Sequence, residues 1–510
     1  LVRTGTSEGK GREMADYDVI VIGAGLGGLT AGALLAREGR RTLVLEQGGS
    51  IGGCCSTYER EGYRFDVGAT ILEILAPFEL AFRRLGTSFH EEVSLEPCDP
   101  VYGIIFPDGS RLTYPASVEE KATIIGRLSP GDGKAWLEYA RYVGDFMRTA
   151  VGGFFLSPMN GILDMTRVFL RHPRLLKFLP LFGKSFESVM RGYFKDERVL
   201  DSLSYPGKFC GLPPALAPGI FAFLSYAEHE GTYFPRGGMI AIPEALRRCG
   251  ERFGMEVWLR KRVEKVMVRN RRVEGVLLAD GTEITARVVV SNVNAKTLYL
   301  DMIGEEHLPW LPRYGIRSYR LSASAPMINV GLDYRPPLDA HHTLITESMD
   351  RMNEYWFGDM RKGLLPKDTF GLVCFPTYSD PSMAPEGHHV LNIVQSGPYH
   401  VKELDWDRDK RAYGERQLER LSERAIPGLA EHVTVMDVLT PRDYERRLLL
   451  PEGAILGLDM DLPSSAVFRP AARSRSVRGL YLCGASTHPG GGLPSVVASG
   501  IIAAELVERG

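Results

Sequence analysis

Several features that would classify this chain quickly are missing from it. No run of 18 apolar residues occurs, so a membrane-spanning helix is not expected. Net charge is only −2 over 510 residues, which excludes a global field for nucleic acid. The seven cysteines (Cys54, Cys55, Cys98, Cys210, Cys249, Cys374 and Cys483) are scattered, odd in number and without a C-x-x-C pair. That spacing argues against a disulfide framework and against a zinc ribbon; it favours reduced thiols in a cytosolic setting, and no metal is expected. Repeats and low-complexity linkers are absent. Leu1–Ala15 lacks an apolar core and does not read as a signal peptide. Met14 is a candidate start, and residues 1–15 are expected to be disordered. What remains, 44% apolar and 24% charged residues, is the composition of an ordinary folded protein. The length calls for at least two domains.

The densest signal is DVIVIGAGLGGLTAGALLAREGRRTLVLE, residues 18–46. Val19–Ile22 read as an apolar strand, Gly23, Gly25 and Gly28 as a G-x-G-x-x-G turn, and Leu26–Ala36 as a helix. Glu46 ends a second strand, 23 positions after Gly23. Gly23 permits the tight turn, Gly25 has no side chain to block a pyrophosphate, and Gly28 lets the helix close on the strand. Leu26 and Gly27 open a helix N-terminus that offers free N–H groups to phosphate. Glu46, followed by Gln47, stands where a ribose diol is held.

Gly52-Gly53 follows with no third strand between, then Cys54, Ser56 and Thr57, then Val67, Gly68, Ala69 and Thr70 after Tyr63–Asp66. A nicotinamide domain would continue with β-α units. A second glycine-rich approach instead suits an extended FAD with its flavin at a domain boundary. There is no second G-x-G-x-x-G, so a separate NAD site is not expected. Asp66 reads as a ribose ligand or, preferably, as support for the next glycine. Arg236, in the turn YFPRGG, reads equally as a cofactor contact or as a turn residue. Val263 is a candidate backbone contact to adenine as well as a buried strand valine. Cys54-Cys55 reads as inert packing in preference to a redox pair. The doublets His341-His342 and His388-His389 lack metal-ligand spacing and are expected in loops or edge strands.

The fold class is α/β. A discontinuous Rossmann-type FAD-binding domain is expected over 16–85, 229–305 and 470–510. Residues 86–228 and 306–469 would form an α+β substrate domain with a mixed sheet, in which 140–228 is a helical, membrane-associating part. Within the first domain the text predicts a helix at Ile242–Phe253 and strands at Val257–Leu259, Val263–Val268, Val273–Leu278 and Glu283–Val290. Met327–Leu332, Gly371–Phe375 and His389–Val394 are expected strands of the second.

Near the C-terminus a strand (Leu480–Cys483) leads to a loop, Gly484–Leu493, and a helix from Pro494, a residue suited to the first helical position. Gly484, Ala485, Gly492, Leu493, Pro494 and Ser495 are candidate flavin contacts. The helix dipole contributes about 0.3–2 kcal/mol. For a two-electron couple that is about 10–40 mV, so it assists flavin reduction without setting the direction of electron flow. His488 is the candidate catalytic side chain, as a proton donor near a flavin whose N5 does the chemistry; the alternative, favoured, is a loop cap.

Together DVIVIGAGLGGL, FDVGAT, YFPRGG, DPSMAPEGHH, TPRDYER and LYLCGASTHPGGGLPSVVASG resemble the phytoene desaturase-like flavoproteins. These comprise carotenoid desaturases, prolycopene isomerase and retinol saturase. The resemblance runs from about Asp16 to the end. It implies FAD held by Gly23, Gly25, Gly28, Glu46, Gly53, Val263 and the Gly484–Pro494 loop, and a long apolar isoprenoid or carotenoid drawn from a membrane. The implied reaction is desaturation by hydride transfer to flavin N5, with oxygen or a quinone as acceptor. Alternatives are cis-trans isomerisation, saturation of a polyene such as retinol, or a flavin-free prenyl carrier of the Rab GDP-dissociation-inhibitor type. Cys54-Cys55 stands where many desaturases have a basic residue, and GGCC is closer to retinol saturase. Ala485 stands where amine oxidases usually carry an acid.

For membrane attachment, residues 161–184 carry Arg167, Arg171, Arg174, Lys177 and Lys184 against Asp164. Leucines and phenylalanines interleave with these charges. The segment reads as a peripheral membrane contact, or as a core helix pair with a solvated basic face.

Overall fold

A computed structural model describes residues 15–366 and 371–510. The expectation of disorder over residues 1–15 therefore lies, Ala15 apart, outside the described residues.

Tyr17–Ile22 and Thr42–Leu45 are strands with buried apolar runs, as central parallel strands require. They pair in parallel with each other, and Tyr17–Ile22 pairs in parallel with Glu283–Ser291 in the register Val19 to Val288 and Ile22 to Ser291. Seven strands make this sheet. Its order is Val263–Arg269, Arg272–Leu278, Glu283–Ser291, Tyr17–Ile22, Thr42–Leu45, Glu256–Trp258, with Leu480–Leu482 also paired to Glu283–Ser291. Strands from the start, middle and end of the chain thus share one sheet.

The helix Leu26–Arg37 is buried along nearly its whole length. Its small residues allow close neighbours: a Cβ on Gly250, from helix Ala241–Glu251, would lie 3.1 Å from the Ala33 Cβ. The C-terminal helix runs Leu493–Glu508, so Pro494 is its second residue, one place later than expected.

A second seven-stranded sheet has the order Val433–Leu439, Met327–Leu332, His389–Val394, Gly371–Cys374, His342–Ile345, Tyr102–Ile105, Arg111–Tyr114. It is mixed, because His342–Ile345 runs parallel to Tyr102–Ile105 while its other neighbour is antiparallel. Two of these strands, Tyr102–Ile105 and Arg111–Tyr114, are not among the strands expected from the sequence. The signal was Asp108-Gly109, a hairpin turn in which Gly109 has φ +81°. His342 and His389 are a correction: they open interior strands and not edges, whereas His341 and His388 hold the loop positions directly before them, as expected, and His341 and His342 are fully buried. Tyr102–Ile105 and Gly371–Cys374 flank the first pair, and Met327–Leu332 and Gly371–Cys374 flank His389–Val394.

Helices follow from Val118–Leu128 and Pro130–Ala150 through Ile162–Arg171 to Leu224–Ala227. They enclose an aromatic core around Trp136, Tyr139 and Phe178. Among the described residues no helix is long and apolar enough to cross a membrane.

Candidate functional site

The two glycine loops meet. A Cβ built on Gly27 would lie 2.9 Å from the Gly484 nitrogen, and the Gly484 N–H donates to Ser499 Oγ at 2.7 Å. Gly23 turns with φ +93° and donates its N–H to the Leu45 carbonyl at 2.8 Å. A Cβ on Gly28 would stand 2.1 Å from the Gly23 carbonyl oxygen, so Gly28 serves helix-strand packing. At Gly25 the nearest obstacle to a Cβ is Asn292 Nδ2, at 2.6 Å. Asn292 sits at the hub: its Oδ1 would also meet a Cβ on Gly27 or Gly484, and its N–H donates to the Ile22 carbonyl at 2.9 Å. Sequence reasoning missed this residue, whose signal is the polar SNVN run directly after an apolar strand.

Two helix N-termini open here, at Leu26–Arg37 and Leu493–Glu508. Neither has a side-chain cap or an acid in its first turn. Their free N–H groups and dipoles suit an anionic group. Glu46 is held from both oxygens, accepting from the Ala24 N–H at 2.9 Å and the Gly48 N–H at 2.7 Å.

These groups line one end of a cavity of about 630 Å³. Gly23, Gly25, Leu26, Gly27, Glu46, Gln47, Gly52, Gly53, Cys54, Gly68, Ala69, Thr70 and Val263 lie in its wall, as do Gly484, Ala485, Gly492, Leu493, Pro494 and Ser495. Gln47 is fixed by donating from Nε2 to the Arg447 carbonyl at 2.8 Å. The other end is apolar, formed by Phe146, Phe154, Met165, Phe169, Leu175 and Phe182. Leu448–Leu450 and Ile455-Leu456 close the side. Neither group was foreseen as wall, because apolar residues in helices and loops carry no period that marks a cavity.

Four expected contacts are corrected. Arg236 is an exposed side chain paired with Glu96 at 2.6 Å, outside the wall. Ser56 donates to the Gly53 carbonyl at 2.7 Å, and Thr57 donates to Asp66 at 2.5 Å while accepting the Ile240 N–H at 3.1 Å. Both hold turns. Val67 is buried behind the wall, its carbonyl accepting from the Tyr444 hydroxyl at 3.1 Å. Asp66 likewise supports structure, accepting the Met239 N–H at 2.9 Å; burial pushes its carboxyl up to about 6.

For His488 the geometry sides with the loop cap, the reading favoured from the sequence, and against the proton donor. Its ring does not face the cavity but donates Nε2–H to the Phe154 carbonyl at 3.0 Å. Burial lowers its pKa to about 4, so the imidazole is neutral at pH 7 and caps the loop. Cys54 does reach the cavity, but burial pushes its thiol up to about 11. Cys55 is buried and donates to the Met239 carbonyl at 3.3 Å. Neither is a thiolate at neutral pH, as a redox nucleophile must be. Glu73 is a wall residue that sequence reasoning passed over; burial, with Glu228 beside it, raises its carboxyl to about 8.

The donor set fits FAD: backbone N–H groups and two open helix ends for the pyrophosphate, a fixed carboxylate for the ribose, and apolar walls for a flat ring. Comparison with known proteins agrees. The model of a family described as flavin containing amine oxidoreductase matches residues 26–508. A neurosporene-forming phytoene desaturase from Rhodobacter capsulatus is 32% identical across 98% of this chain and 94% of its own. A lycopene-forming phytoene desaturase from Pseudescherichia vulneris is 29% identical across 96% and 98%. Among solved structures, an oxidoreductase from Methanosarcina mazei gives a TM-score of 0.63 at 18% identity, covering 96% of this chain and all (100%) of its own. A putrescine oxidase bound to putrescine gives 0.63 at 16%, covering 97% and 99%. A Rab GDI from Plasmodium falciparum gives 0.56 at 11%, covering 96% and 98%, a likeness of fold alone. The chain belongs to the flavin containing amine oxidoreductase family and, within it, to the phytoene desaturase-like FAD-dependent oxidoreductases.

Proposed function

We propose that this protein desaturates a long apolar carotenoid or other isoprenoid that it takes from a membrane surface. The observation that carries the reading is a single cavity that joins the glycine cradle at Gly23–Gly27 to an apolar end at Met165 and Phe169. Met165 and Phe169 belong to the helix Ile162–Arg171, and the same helix exposes Ile162, Leu163 and Leu170. Leu176, Leu179 and Phe468 are exposed as well. One helix thus turns apolar side chains both into the cavity and out to solvent, which a core helix with a solvated face does not need to do. Apolar side chains sinking into a bilayer interface, with Arg171 and Arg174 exposed beside them, give a route for a substrate too insoluble to cross water.

FAD, held by the cradle and the C-terminal loop, supplies a two-electron acceptor. The chain's residues orient the substrate and exclude water. Phe146, Phe154 and Phe182 give the polyene a dry wall, and Glu73 is a titratable group of the same cavity lining, protonated at neutral pH. Oxygen or a quinone regenerates the oxidised cofactor. The scattered reduced cysteines favour the cytosolic face of the membrane.

The test is product analysis after incubating FAD-loaded protein on vesicles with phytoene, lycopene isomers and retinol. New conjugated double bonds in phytoene support desaturation. Geometric isomers formed only with prereduced cofactor, or a saturated product from retinol, overturn it in favour of those reactions.

A further inference from the structure

Behind the cavity wall at Thr70 lies a cluster that the reaction does not use. Cys98, His341 and His342 are all buried, and the Cys98 sulfur and one nitrogen from each imidazole lie within 4.8 Å of one another. The two rings sit 4.4 Å apart, centre to centre. Each is anchored through one nitrogen only. His342 Nε2–H donates to the Thr70 carbonyl at 2.9 Å, and His341 Nδ1 bonds Ser379 Oγ at 2.8 Å. The opposite nitrogens, His342 Nδ1 and His341 Nε2, are buried with no partner.

The tautomer of His342 follows from these contacts. A carbonyl only accepts, so the proton is on Nε2 and Nδ1 carries a free lone pair. An imidazole tied by one nitrogen to a backbone carbonyl, with the other left bare, is how metal-ligating histidines are held. The Cys98 thiol has only a long contact to Ser379 Oγ, at 4.0 Å.

We propose that Cys98, His341 and His342 form a buried site for a zinc-type divalent ion, with the fourth position open to water. One thiolate and two imidazoles are a donor set that borderline-soft ions prefer over magnesium or calcium. Bonds of about 2.0–2.3 Å draw the three ligand atoms inward by about 1 Å. On binding, the sulfur–hydrogen bond is exchanged for a sulfur–metal bond and one proton leaves to solvent. The remaining positive charge faces Glu73. The ion would join two parts of the fold. Cys98 follows strand Leu95–Pro97, which pairs with Tyr233–Pro235, whereas His342 opens a strand of the second sheet. His342 also grips Thr70, in the cavity wall. The site's role is to position that wall.

The test uses the full-length, FAD-loaded protein, stripped with a chelator under reducing conditions and titrated with zinc against a chromophoric chelator. One zinc per chain is expected, with one proton released and a rise in melting temperature. Cys98→Ser and His342→Gln are each expected to weaken binding more than about 100-fold. Absence of stoichiometric zinc, or zinc binding that persists in both variants, overturns the proposal. Should the variants not fold, cobalt added to the unaltered protein decides: a thiolate-to-cobalt charge-transfer band supports the site, and its absence refutes it. None of these readouts depends on which substrate the enzyme takes.

Discussion

Gly500 and Gly27 bring the last helix of the chain against the first: a Cβ on Gly500 would stand 2.5 Å from the Gly27 carbonyl oxygen. Helix propensity alone predicts that Gly500→Ala stabilises the protein by about 1 kcal/mol. The close approach predicts the reverse, a net loss of about 1–3 kcal/mol from overpacking, together with weaker FAD retention. Urea unfolding with the flavin content measured alongside separates the two; a raised midpoint would show that the helices are not held this tightly.

Glu46 takes two backbone N–H groups, from Ala24 and Gly48. Glu46→Ala strands both, at about 1–3 kcal/mol each. FAD affinity is expected to fall by at least about 10- to 100-fold. Glu46→Gln keeps one acceptor oxygen and loses less. Titration of apoprotein with FAD, followed by flavin fluorescence, checks the order; equal affinities for all three proteins would remove Glu46 from the cradle.

His488 gives a pH signature. Burial depresses its pKa from 6.5 to about 4, so on acidification the unfolded chain takes up this proton well before the folded one. Between those values the unfolded state holds one more proton, and stability falls as pH falls, by about 1.4 kcal/mol per pH unit for that group. Stability from this group is complete above the unfolded pKa. His488→Gln is expected to flatten the dependence by one proton's slope in that window and to leave turnover largely intact, since the ring faces Phe154. Unchanged slope, or a collapse of turnover with folding and FAD binding intact, contradicts the placement.

Leu163 and Leu170 are 73% and 75% exposed. Changing both to Glu is expected to reduce co-sedimentation with anionic vesicles by more than about tenfold, since burying each leucine contributes about 1.5–3 kcal/mol. Melting temperature and FAD content should not move. Full vesicle binding by the double variant would assign these side chains another role.

Much of the cradle was legible because a phosphate loop is written locally. Strand, glycines, helix start and acid follow each other within residues 18–46, and each has a backbone reason to be what it is. The strands Met327–Leu332 and His389–Val394 were legible by the same logic, as apolar runs between turn residues. Arg236, Ser56, Thr57 and Val67 were misassigned because nearness to a motif in sequence does not fix which way a side chain points. Arg236 found Glu96, 140 residues earlier, and stayed at the surface.

The sequence by itself determined that a nucleotide loop forms and that its partner loop is glycine-rich, since both depend on backbone freedom within a few residues. Only the tertiary structure decided that Asn292 sits between the two loops, that His488 turns away, and that Phe146, Met165 and Leu448 share one cavity. It also decided that Cys98 meets His341 and His342. Those contacts join residues tens to hundreds of positions apart, where no periodicity links them and only packing brings them together.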